Sequence, residues 1–135
     1  MSAVEGYTKL NLTEVEDVAP ANGFGEQWEA RAAQGPLRMK STGAVLFRIR
    51  PGRRSPFTHR HREAEETYVI LSGAGRVKLG EEILDVGPLD AIRVAARTPR
   101  AFEAGPEGLE LLAFGPRHEA DGEGVPDPWT DSPGA

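Results

Sequence analysis

From Gly43 to Gly115 the chain is cut into short apolar runs by glycine and proline, and this punctuation limits the fold more than any other feature. Gly43–Arg50 alternates, with Val45, Phe47 and Ile49 in one phase, and stops at Pro51-Gly52. Phe57–His61 follows, then Glu66–Leu71, which ends at Ser72-Gly73-Ala74-Gly75. Arg76–Leu79 and Glu82–Val86 flank Gly80-Glu81, a two-residue loop with glycine first, as a type II′ hairpin turn prefers. Ala91–Val94, Arg100–Ala104 and Leu109–Phe114 complete the series, with Gly87-Pro88, Thr98-Pro99 and Gly105-Pro106-Glu107-Gly108 between them. Short alternating runs bounded by turn residues are the pattern of half-buried strands. About eight of them in close succession predict an all-β chain, a sandwich or small barrel of jelly-roll type.

Residues 1–42 read as an N-terminal arm, 43–115 as the barrel and 116–135 as a C-terminal tail. In the arm, Leu10-Asn11-Leu12 suits a short strand and Asn22-Gly23-Phe24-Gly25 a turn. Glu26–Gln34 reads either as a helix stopped by Gly35-Pro36 or as an extended segment. The tail is acidic and proline-rich. His118 is expected on its surface, whereas Trp129 is expected to pack over the barrel, because its ring is costly to leave in water.

A length of 135 residues suits one domain with one core. With 39% apolar and 27% charged residues, composition fits a soluble globular protein. No apolar run reaches the roughly eighteen residues of a membrane span, and the N-terminus lacks a basic segment followed by an apolar one. Zero cysteines exclude disulfides and thiolate metal sites. Cytoplasm is the simplest expectation. A net charge of −5 argues against general affinity for nucleic acid.

The chemistry concentrates between Gly52 and Gly73. His59 and His61 are two residues apart, so on a strand they share a face. Glu66 opens the next run, and if that run folds back beside the first, its carboxylate joins the imidazoles around one ion. Two histidines and a carboxylate with open positions suit non-haem iron, and other divalent metals accept the same set. The bland alternative is a barrel whose inner polar groups satisfy one another without metal. Glu65 competes with Glu66, but alternation puts it opposite Tyr68 and Ile70, so Glu66 is the ligand candidate. Tyr68 and Phe102 fall in phase with the site, either as core or as pocket lining, Tyr68 with a hydroxyl for hydrogen bonding or proton transfer. Arg48, Arg50, Arg60 and Arg62 fall out of phase with Phe47, Ile49, His59 and His61, which puts them on the outer face, open to solvent or paired with glutamates.

These residues resemble the first motif of the cupin family: a glycine, His-x-His, a glutamate after three or four intervening residues, then a glycine about seven further. Here Gly52, His59-Arg60-His61, Glu66 and Gly73 keep that order, with one extra residue between Gly52 and His59. The resemblance spans roughly residues 43–115. It implies the cupin double-stranded β-helix, a divalent metal (Fe, Mn, Ni or Zn) on His59, His61 and Glu66, a small-molecule ligand, and a homodimer. It also implies dioxygenase, isomerase, lyase or decarboxylase chemistry. The second cupin motif supplies a fourth ligand, a histidine, and the matching position here is Arg100. An arginine stays protonated and does not ligate a cation. Arg100 therefore pairs with Glu66 in a metal-free binding or sensing barrel, grips the acidic group of a substrate beside the metal, or points outward.

Overall fold

The computed structural model describes residues 2–4, 6–117, 120–126, 129–131 and 133. A small hairpin, β1 (Ser2–Val4) and β2 (Tyr7–Lys9), precedes eight strands joined in one curled sheet: β3 (Trp28–Ala32), β4 (Thr42–Ile49), β5 (Thr58–His61), β6 (Glu66–Leu79), β7 (Glu82–Val86), β8 (Ala91–Val94), β9 (Arg100–Pro116) and β10 (Gly122–Val125). All pairings are antiparallel. One path runs β10-β5-β9-β4-β3, while β6 pairs with β7, β8 and β9. The expected all-β jelly roll is what forms.

Two strands are longer than their sequence suggests. Glu66–Leu71 and Arg76–Leu79 are both parts of β6, and Arg100–Ala104 and Leu109–Phe114 are both parts of β9. The glycine clusters between these halves are corners in continuous strands. β6 and β9 run side by side through both corners, with register shifts at Ile70/Ser72 and Gly73/Gly75. The backbones come so close there that a Cβ on Gly75 would lie 2.0 Å from the Glu103 carbonyl oxygen, and one on Gly73 2.1 Å from that of Gly108. Only glycine permits that approach. At the Gly80-Glu81 loop, Gly80 has φ +59 and Leu79 pairs with Glu82, as the hairpin reading expects.

The segment Glu26–Gln34 is not a helix. Trp28–Ala32 pairs with Val45–Ile49 of β4, and Trp28 and Ala30 enter the core beside Ile49 and Tyr68. The gain from burying an indole on a sheet edge outweighs the helix propensity of Glu, Ala and Arg. The arm thus contributes a sheet strand. So does the tail, through β10, whose Gly122–Val125 pairs residue by residue with His61–Thr58 of β5. His118 lies outside the described residues.

The expected outer-face arginines find glutamates. Arg48 meets Glu110 and Glu29, and Arg60 and Arg62 meet Glu123. Arg50 instead donates to the Gly25 carbonyl. Trp129 packs under the guanidinium of Arg54, 4.4 Å from ring centroid to Cζ, with Arg76 at 5.3 Å. Asp131 and the buried Glu103 both pair with these two arginines. No helix among the described residues is long and apolar enough to cross a membrane.

Candidate metal centre

β5 and the start of β6 bring the sequence-predicted cluster together inside the barrel. His59 Nε2 lies 3.8 Å and His61 Nε2 3.4 Å from Glu66 Oε1, and one ligand atom from each residue falls within 4.8 Å of the others. The imidazoles meet edge to face, centroids 5.2 Å apart. Glu65 points away, 58% exposed and paired with Arg93. Alternation along β6 therefore selects Glu66, and it buries Tyr68 and Ile70 in the same phase.

Glu66 is half-buried, which pushes its carboxyl toward the neutral form. Its interactions with His59, His61 and Tyr68 outweigh burial and hold it far below the ordinary carboxylate range. Tyr68 donates its hydroxyl to Glu66 Oε1. Burial, the Glu66 charge and that hydrogen bond raise the phenol well above its usual value, against the opposing pull of Arg100. Tyr68 is therefore a neutral donor that fixes one oxygen of the carboxylate. Its ring packs on Phe102 at 5.0 Å.

The donor set fits a divalent cation. Neither ring nitrogen of His61 makes an aligned hydrogen bond, although Glu66 Oε1 and Asp121 Oδ2 each stand 3.4 Å away, and an imidazole nitrogen facing a carboxylate in this way is what a cation would satisfy. Ligands about 2.1 Å from a common ion, arranged tetrahedrally, stand about 3.4 Å apart, the distance from His61 Nε2 to Glu66 Oε1.

Arg100 points inward. It lies directly across from His59 on β9, and directly opposed residues of antiparallel strands share a face. The side chain is 1% exposed. Its Nη2 donates to the Ala95 carbonyl at 2.9 Å, while Nε and Nη1 have no partner. Glu66 meets the two histidines and Tyr68, and makes no ion pair with Arg100 among the described residues.

Two spaces flank the cluster. One, about 20 Å³, is walled by Trp28, Phe47, Phe57 and Phe102 and reaches His59, Tyr68 and Arg100. Phe57, 42% exposed, covers it and contacts Trp28 and His59 edge-on at 5.7 Å. The other, about 140 Å³, opens beside His61 and Glu66 among Gln34, Val45, Ala113 and Arg117, and the Oε1 of Gln34 is buried there without a partner. Sequence reading put Phe102 in phase with the site but found neither Trp28 nor Gln34, because both lie in the segment read as a possible helix. It also missed Asp121, whose Oδ2 stands 3.4 Å from His61 Nδ1. Asp121-Gly122-Glu123-Gly124 reads as loop, with no apolar alternation to reveal β10.

A family model described as "Cupin domain" matches residues 45–115, more than half of the chain. No curated protein matches it. Among solved structures, a cupin protein from Bacteroides fragilis superimposes with a TM-score of 0.69 at 20% identity, over 87% of this chain and 89% of that one. The polyketide cyclase RemF from Streptomyces resistomycificus gives 0.72 at 21%, over 87% and 84%. Oxalate decarboxylase from Bacillus subtilis gives 0.73 at 22%, over 93% of this chain and 33% of that one, so the chain spans about a third of that enzyme. At these identities the likeness concerns the fold.

Proposed function

The chain belongs to the cupin family, and we propose that within it His59, His61 and Glu66 hold a divalent metal ion while Arg100 anchors the acidic group of a small oxygenated ligand. The observation that carries this reading is the convergence of two imidazole nitrogens and one carboxylate oxygen, with the His61 Nε2 that faces Glu66 left without a hydrogen bond. When bound, the ion would supply Lewis-acid polarisation of an oxygenated ligand, or, if redox-active, dioxygen chemistry. Tyr68 keeps Glu66 oriented and the phenol proton in place. Arg100 offers unfilled donors at a site closed to water, where an anion is held far more strongly than at a surface. The free spaces are small, so the ligand is well below drug size.

The metal-free alternative required an ion pair between Glu66 and Arg100, and the geometry favours the metal reading because the two side chains have different partners. Dioxygenase, isomerase and lyase chemistry all suit this arrangement. Pairing of two chains stays part of the proposal, supported by Ile83 and Leu84 on the edge strand β7, which remain 36% and 46% exposed.

Metal content of untagged protein purified without chelators tests the reading. Near one ion per chain is expected, falling below about a tenth in His59→Ala and Glu66→Ala. Substoichiometric metal that does not change in the variants would refute it. Arg100→His adds a ligand opposite His59 and is expected to tighten binding.

A further inference from the structure

Asp121 lies beyond the segment 45–115 that matches the family, yet it closes the far side of His61. Its Oδ2 is 3.4 Å from Nδ1, while Nε2 of the same ring faces Glu66 Oε1 at 3.4 Å. The carboxylate is fixed by backbone. It accepts from the Glu63 amide at 3.2 and 3.4 Å and from the Ala64 amide at 3.0 Å, and the Asp121 carbonyl accepts from the Arg62 amide at 3.1 Å. The next residue, Gly122, pairs directly with His61. Asp121 is 8% exposed, so solvent neither screens nor displaces it. The loop that follows His61 and the strand that pairs with it thus bring one carboxylate to one ring nitrogen.

We infer that Asp121 is a positioning residue that keeps the His61 proton on Nδ1, so that the Nε2 lone pair projects toward His59 and Glu66 as a ligand for a divalent cation. A neutral imidazole carries its proton on one nitrogen only, and the negative charge of Asp121 beside Nδ1, a 3.4 Å contact not aligned as a hydrogen bond, favours the proton there. A carboxylate behind a ligating histidine also makes the other nitrogen more basic, and its loss typically lowers metal affinity about 10–100-fold. The inference deepens the metal reading and rests on it. It also gives the C-terminal segment a role, since β10 brings a support for the site from outside the barrel.

Asp121→Asn retains an oxygen for the Glu63 and Ala64 amides but removes the charge. Titration with Co2+, followed by visible absorption, is expected to give a Kd about 10–100-fold higher than wild type, with the thermal midpoint nearly unchanged. Wild-type affinity in the variant would overturn the inference. Should the variant fail to fold, the tautomer in the wild type decides. In metal-free protein with 15N-labelled histidine at alkaline pH, His61 is expected protonated at Nδ1, and an Nε2-protonated ring would overturn the inference. That spectrum needs no metal. A wild type that takes up no Co2+ would therefore refute the metal reading, while the spectrum still decides the role of Asp121.

Discussion

Arg100 sets the character of the barrel interior. A guanidinium that is 1% exposed and holds one hydrogen bond carries a desolvation cost that a single carbonyl does not offset. On the proposed reading, an anion at the unfilled Nε and Nη1 offsets that cost. Arg100→Met is therefore expected to raise the thermal midpoint of the ligand-free protein by about 3–8 °C, and to abolish any thermal shift produced by small carboxylates. Scanning calorimetry with and without such anions measures both, and a lowered midpoint would mean that the charge stabilises the barrel. The inward direction of His59, His61, Glu66 and Tyr68 was readable from the sequence, because strand phase decides it. For Arg100 the family pattern located the position, but the sequence left three readings open: a pair with Glu66, a grip on a ligand's acidic group, or an outward direction. The partner of a long flexible side chain depends on distances across the barrel that phase does not encode.

The long strands β6 and β9 carry the architecture. They run together through two corners, and the glycines there are required by backbone approach. Gly75→Ala is expected to cost about 1–3 kcal/mol, because its Cβ would fall 2.0 Å from the Glu103 carbonyl oxygen with only backbone to yield. Urea unfolding measures it, and a change within about 0.5 kcal/mol would mean that the corner relaxes. The same glycines explain why the sequence suggested four short strands where two long ones form. Ser72–Gly75 and Gly105–Gly108 have the composition of turns, and composition does not distinguish a turn from a sharp bend in a strand that continues. β3 forms in the segment that the sequence left open between a helix and an extended stretch, and the extended reading holds. Its residues favour a helix, and only the indole of Trp28, placed against Phe47 at 4.3 Å, reveals the sheet edge.

Across the whole molecule, segments from both ends of the chain complete a barrel that resembles a cupin core. β3 supplies the Trp28 wall of the inner space, and β10 supplies the strand beside the histidines. Farther along, Trp129 and Asp131 fasten to Arg54 and Arg76, and Arg54 lies on the stretch that leads to Phe57 and His59. The packing of Trp129 was expected from its apolar ring, whereas β10 was poorly readable because it has no apolar alternation and its pairing partner lies some sixty residues earlier. Everything proposed for the interior depends on a metal ion held by His59, His61 and Glu66. An anomalous difference map from crystals grown with a divalent transition metal decides this. One dominant peak per chain is expected, about 2.0–2.2 Å from His59 Nε2, His61 Nε2 and a Glu66 oxygen. A map without a peak among those three side chains, at full occupancy of metal in the solution, would contradict it.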